Sequence, residues 1–279
     1  MVYPRIGVMQ GRLSARPEAR LQAFPHQTWP EEFAQAKRLG FSYIEWIYEA
    51  ERARENPIAS SAGRAAIRAC AAASDLPVGS VCADYFMIHR LAGGTAQERT
   101  EHAAALSELV RWTRELGATR ILLPLLETSA VDSPQLVREV TESIQRVCPA
   151  LETYDVTLGL EMEIPGKEYA AVIQGVGHHK VRAYYDTGNS TAQGLDIASD
   201  VLPLLPMLEA VHLKDRVAFG TSRPFGRGAA NFEGFFSALA AAGYKGDFLT
   251  QHYFDAEPEA SAAHSLSFVQ GQLQGRRAA

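Results

Sequence analysis

The sequence predicts a single-domain (β/α)8 TIM barrel spanning residues 1–279, on three observations. Eight short runs rich in β-branched, aromatic and other apolar residues recur at intervals of about 25 to 40 residues. Helix start and stop signals lie between them. The length of 279 residues is close to the roughly 250 of one such barrel. The alternative, a doubly wound sheet, calls for a G-x-G-x-x-G turn after the first strand, and that turn here reads MQGRLS.

The eight expected strands are Arg5–Met9, Tyr43–Ile47, Val78–Ala83, Arg120–Leu125, Thr157–Glu161, Val181–Asp186, Leu208–Leu213 and Asp247–Gln251. Most are nearly continuous apolar runs, as expected of parallel strands covered on both faces. Thr28 with Glu31 has the form of a capping box, and Gly40 stops the helix that follows. Thr95 with Glu98 repeats the box, for a helix through Trp112 that ends at Gly117. Asp132 and Pro134 open the next helix, and Asn231 caps another that stops at Gly243. The longest irregular stretches are Glu51–Ala62 and Val217–Ala230. Unbroken alternation of strand and helix implies right-handed βαβ units closing on themselves.

Apolar residues make up 47% and charged residues 21% of the chain, enough to bury a sizeable core. The net charge of −5 and a pI near 5.9 give no basic field for nucleic acid or an anionic membrane, so a small-molecule partner is expected. Cys70, Cys82 and Cys148 have neither metal-ligand spacing nor an even count, which suggests a reducing, cytoplasmic setting. Neither a signal peptide nor an apolar stretch of about 18 residues is read.

Four of the expected strands close on polar residues with ligand chemistry: Glu161, Asp186, His212 and Gln251. Two carboxylates, an imidazole and an amide carbonyl suit one octahedral divalent ion with open positions, and the oxygen-rich set leans toward manganese or magnesium, with cobalt or zinc possible. Two adjacent oxygens of a hydroxyketone or enediolate would fill those positions, in chemistry that begins by removing a proton next to a carbonyl. Any one of these residues alone could equally be a solvated strand end or a helix cap. Glu163, two residues on and on the same side of an extended chain, rivals Glu161.

More polar residues surround the quartet. Gln10 and Arg12 follow the first strand, Glu45 and Glu49 accompany the second, Cys82 and Asp84 end the third, and Glu127 follows the fourth. Asn189 and Lys214 lie where they could contact substrate hydroxyls, though Asn189 also suits a helix N-cap. Lys214, Arg216, Arg223 and Arg227 populate a glycine-containing loop that reads either as a phosphate or carboxylate site or as a solvated basic loop, with Arg216 nearest the strand end. Tyr3, Trp29, Trp46, Tyr48, Tyr85, Phe86, Phe219 and Phe225 are mostly core, some of them walling a sugar-sized pocket. His178 and His179 precede the sixth strand, at the opposite face.

The segments GVMQGRLS, FPHQTWPEEFAQAKRLGFSYIEWIYE, SVCADYFM, LGLEMEIP, YYDTGNS, HLKDR, GRGAANFEGFFSAL and FLTQ resemble the sugar phosphate isomerase/epimerase group of the xylose isomerase-like TIM barrels, over nearly the whole chain. The resemblance implies a divalent metal at the ends of strands five to eight, with Glu161, Asp186 and His212 on three ligand positions. Gln251 occupies the fourth, where ketose 3-epimerases and inosose dehydratases typically carry glutamate. Epimerases of this group use two glutamates, one on each face of the substrate carbon, and a glutamine has no basic lone pair for that work. Glu161 then remains as the base, with Lys214, Glu163, Asp84 or a metal-bound water as a second acid. The expected activity is isomerisation or epimerisation of a sugar or sugar phosphate. The alternatives are an inosose dehydratase-like lyase and a non-catalytic sugar-binding barrel. Homodimers are common in the group. Endonuclease IV shares the fold, but its zinc cluster needs histidines that strands three and four lack here.

Overall fold

The computed structural model describes residues 4–15, 22–253 and 256–275. Ten strands are formed: β1 (Ile6–Met9), β2 (Tyr43–Ile47), β3 (Val78–Cys82), β4 (Arg120–Leu125), β5 (Thr157–Met162), β6 (Val181–Asp186), β7 (Leu208–Leu213), the short β8 (Asp215–Arg216) and β9 (Ser222–Arg223), and β10 (Asp247–Thr250). Eight of them close a barrel in the order β1-β10-β7-β6-β5-β4-β3-β2, while β8 and β9 form a small antiparallel hairpin above it. All eight expected strands are present, displaced by at most one residue at an end.

The helices are α1 (Trp29–Leu39), α2 (Ser61–Ala73), α3 (Tyr85–Ile88), α4 (Ala96–Glu115), α5 (Pro134–Tyr154), α6 (Gly166–Val176), α7 (Thr187–Ala192), α8 (Ile197–Asp200), α9 (Phe232–Ala241) and α10 (Pro258–Gln274). The long ones bury residues at helical spacing, such as Leu106, Leu109 and Val110 of α4 and Val140, Ile144, Val147 and Leu151 of α5. Each such side chain taken from water stabilises the fold by about 1.5–3 kcal/mol before entropy is counted.

The capping box at Thr95 and Glu98 is formed, and Asn231 accepts from Gly234 N at 3.0 Å as the cap of α9. Two expected caps are corrected. Thr28 precedes α1 without a side-chain cap, because its hydroxyl pairs with Ser14 Oγ at 2.8 Å. At α5 the cap is Ser133, which accepts from Leu136 N at 3.3 Å, and not Asp132. The stretch Glu51–Ala62 holds two 3-10 turns and the start of α2. Tyr3 lies outside the described residues.

Alternate residues of each strand fill the barrel. At its base, Tyr43 donates to Phe248 O at 3.0 Å, under the guanidinium groups of Arg5 and Arg120, which both bond Asp247. Neighbouring strands make room with glycine, since a Cβ on Gly7 or Gly79 would come within 2.4 Å of the Tyr43 ring. The next layer holds Glu45, Ser80 and Tyr184, and above it, at the carboxyl ends of the strands, lies the polar cluster.

Candidate metal and substrate site

Strand register brings the cluster together. Asp186 of β6 pairs with His212 of β7, and His212 pairs with Leu249 of β10, two residues before Gln251. Ligand atoms of Glu161, Asp186 and His212 all lie within 4.8 Å of one another. All three residues are buried, as is Gln251.

Each is held by one hand, leaving the other free. His212 Nε2 meets Glu45 Oε2 at 2.7 Å, and Nδ1 has no hydrogen-bond partner. Asp186 Oδ1 accepts from Asn189 N at 2.8 Å, capping α7, whereas Oδ2 makes no well-formed hydrogen bond. Lys214 Nζ approaches that oxygen to 3.1 Å and His212 Nδ1 to 3.8 Å. Gln251 Nε2 donates to Gln22 Oε1 at 2.5 Å, which leaves Gln251 Oε1 unpartnered. Glu161 Oε1 accepts from Asn189 Nδ2 at 2.9 Å. A buried polar atom without a partner costs about 1–3 kcal/mol, so several at one place call for a ligand. His212 Nδ1 and Gln251 Oε1 are unpartnered and Asp186 Oδ2 meets only the Lys214 ammonium, and with Glu161 these donors have the chemistry to hold a divalent cation.

The electrostatics agree. Burial, with the charge of Asp186 beside it, pushes the Glu161 carboxyl well above the usual range. Burial acts on Asp186 in the same direction, but Lys214 and then His212 hold it below its ordinary value. Two carboxyl groups so close cannot both ionise cheaply without a cation. Glu45 is fully buried, yet His212, Ser80 Oγ at 2.7 Å and Tyr184 OH at 2.9 Å keep its pKa below normal.

The remaining expected residues fall into two groups. Asn189 and Lys214 belong to the cluster, Asn189 as the third residue of α7 and not its cap. Arg216 reaches it through Nη1, 3.4 Å from Asn189 Oδ1, while its Nε donates to Gly220 O at 3.0 Å. Gln10 is buried, accepts from Ile47 N at 3.1 Å and keeps an unpartnered Nε2. Cys82 Sγ donates to Asp84 Oδ1 at 3.1 Å, and Asp84 Oδ2 accepts from Gln22 Nε2. Arg12 acts as a strut, with Nη1 donating to His252 O at 2.9 Å. Arg223 is exposed and bonds Thr221 Oγ1 and Ser222 O of its own hairpin, and Arg227 is exposed as well. Glu127 is exposed, and half-buried Glu163 feels the charge of Arg216. His178 and His179 flank Glu152 on the far face, as expected.

The sequence places Glu45 among the polar residues around the quartet without giving it a role, and Gln22 goes unrecognised there. The role of Glu45 could have been found from its place in the middle of YIEWI, a run buried on both faces, where a lone charge must be paired. Gln22 lies in the loop after β1 and carries no such signal.

The sequence profile of the family described as "Xylose isomerase-like TIM barrel" matches residues 33–272, and the chain belongs to that family. It is 23% identical over 270 residues to the putative L-ribulose-5-phosphate 3-epimerase SgbU of Escherichia coli K12, covering 88% of this chain and 92% of that one. The L-ribulose-5-phosphate 3-epimerase UlaE of Salmonella paratyphi C is also 23% identical, over 257 residues, with 88% and 90% covered. Among solved structures, L-ribulose 3-epimerase superposes with a TM-score of 0.79 at 18% identity, covering 98% of this chain and 96% of that one. D-psicose 3-epimerase of Clostridium cellulolyticum H10 superposes with a TM-score of 0.76 at 17% identity, covering 96% and 99%.

Proposed function

We propose that the protein is a divalent-metal-dependent isomerase or epimerase of a ketose or ketose phosphate, in which Glu161 removes the proton next to the carbonyl. The observation that carries this reading is the meeting of His212 Nδ1, which has no hydrogen-bond partner, with Asp186 Oδ2, which is paired only with the Lys214 ammonium, beside the Glu161 carboxyl. A divalent cation held by these residues, manganese before magnesium, cobalt or zinc, supplies positive charge that polarises a carbonyl and offsets charge developing on oxygen.

The protein's own groups do the rest. Asn189 Nδ2 fixes one oxygen of Glu161 and so orients the carboxyl beside Asp186. Lys214 keeps Asp186 ionised and offers a proton to a substrate oxygen. Gln10 Nε2 is a buried donor free for a hydroxyl. Arg216, of the loop arginines, reaches the cluster and suits a phosphate or carboxylate tail. The named activities of the relatives, on L-ribulose 5-phosphate and on free ketoses, support this substrate class. All three cysteines are free, in keeping with a cytoplasmic setting, and no described helix is long and apolar enough to cross a membrane. A homodimer is the expected assembly, to be read by light scattering.

The test is solvent-deuterium exchange in ketoses, ketose phosphates and inososes incubated with Mn2+-loaded protein. Label entering a carbon beside the carbonyl, lost with a chelator and lost in Glu161→Gln, is the expected result. A product lighter by one water would make the protein a lyase. Tight binding of a sugar without any exchange would make it a binding barrel and overturn the proposal.

A further inference from the structure

Gln251 leaves an epimerase short of one acid. Glu161 can take a proton from one face of a carbon, but inversion needs a second group to deliver a proton to the other face, and an amide does not do so at neutral pH. Lys214 is engaged in an ion pair with Asp186, Nζ to Oδ2 at 3.1 Å. Glu163 is half-buried under the influence of Arg216. The other half of the barrel mouth, formed by β1 to β4, offers a different carboxyl.

That carboxyl is Asp84, just beyond β3, two strands from the β5 of Glu161 and on the side of it away from β7 and Lys214. It is tied to position 251 through one amide, since Gln251 Nε2 donates to Gln22 Oε1 and Gln22 Nε2 donates to Asp84 Oδ2. Its other oxygen accepts from Cys82 Sγ at 3.1 Å. The residue keeps part of its surface open to solvent although the carboxyl is set deep among protein atoms. The charges of Glu45 and His212 act on it, and its own charge acts on Glu161, so it shares one low-dielectric space with the cluster.

Resting on the enolisation reading above, we propose that Asp84 is the second acid of an epimerisation, protonating the carbon that Glu161 has deprotonated. In the first half, the Glu161 carboxylate takes the proton, the C–H bond breaks and its electron pair passes into the carbonyl to give an enediolate. In the second half, the Asp84 O–H bond breaks, a C–H bond forms on the opposite face and the carbonyl is restored. Glu161 ends protonated and Asp84 ionised, and exchange with solvent or the reverse turnover resets both. Burial first, then the charge of Glu45, raises the Asp84 carboxyl above the ordinary aspartate range despite its hydrogen bonds, which favours the protonated form this step requires.

The test compares wild type, Asp84→Asn and Asp84→Glu, all Mn2+-loaded in D2O, with L-ribulose 5-phosphate and D-fructose as probes. The readouts are label in recovered substrate, inverted product and calorimetric Mn2+ binding. Asp84→Asn is expected to bind Mn2+ and exchange label within about threefold of wild type while inversion falls by roughly 100-fold or more, the scale of a lost general acid. Asp84→Glu, which keeps the acid, retains inversion. Inversion by Asp84→Asn near the wild-type rate overturns the assignment, as does equal loss of exchange and inversion with Mn2+ binding intact. A wild type that exchanges label but yields only an aldose also overturns it, while sparing the enolisation reading. A wild type that exchanges neither probe nor any other ketose overturns both.

Discussion

Glu45 Oε2 stands 2.7 Å from His212 Nε2, and this contact across the barrel decides which nitrogen of the imidazole is left for a ligand. Glu45 comes from β2 and His212 from β7, more than 160 residues apart in sequence. Ser80 and Tyr184 bond the other oxygen of Glu45, so the carboxylate cannot swing away from the histidine. A carboxylate behind a ligating histidine fixes ring orientation and tautomer and raises basicity. Glu45→Gln is therefore expected to weaken Mn2+ binding by about 10–100-fold while leaving the fold intact by circular dichroism. Unchanged affinity would remove Glu45 from the account.

The loop after β1 depends on a second buried carboxyl. Glu32 of α1 accepts from Gly11 N at 3.1 and 2.9 Å and from Ser14 Oγ at 2.7 Å, yet burial outweighs these bonds and raises its pKa from 4.5 to about 7. A raised folded-state pKa means that the folded chain binds the proton more tightly than the unfolded one. The stabilising contribution is thus full below about pH 4.5 and is lost as pH rises toward 7, to a total of about 3 kcal/mol. Urea denaturation of wild type and Glu32→Gln across pH 5 to 8 reads this as a difference in stability that changes through the window. Parallel pH profiles would contradict it.

Asp215 holds the arginine loop in place. Its carboxylate accepts from Gly226 N at 2.9 Å, Gly228 N at 2.9 Å and Ala230 N at 3.3 Å. Bonds to a charged acceptor contribute about 1.5–3 kcal/mol each, so Asp215→Ala is expected to free the loop without unfolding the barrel. Because Arg223 and Arg227 are exposed, trypsin should cut there roughly tenfold faster or more in the variant. Equal cleavage rates would show that the loop is held by other contacts.

The barrel was legible because each strand is a short apolar run and each helix has its own punctuation, all of it local in sequence. Glu161, Asp186 and His212 were legible for the same reason, as polar residues closing apolar runs. What escaped depends on closure. Glu45 sits mid-strand and becomes the partner of His212 only when β2 and β7 face each other across the interior. Thr28 has the pattern of a cap, but Ser14 competes for its hydroxyl through a loop that sequence spacing does not reveal. Arg12 and Arg223 looked alike as cations near strand ends. The fold turns one into a buried strut to His252 and leaves the other in solvent.

The central claim is that Glu161, Asp186, His212 and Gln251 hold one divalent ion. Calorimetric titration of Mn2+ into chelator-stripped wild type, Asp186→Asn and His212→Ala tests it most directly. The account predicts one site per chain in wild type and a loss of roughly 100-fold or more in affinity in each variant, beyond the effect of a supporting residue. Binding of equal strength in all three proteins, or none in wild type, would contradict it.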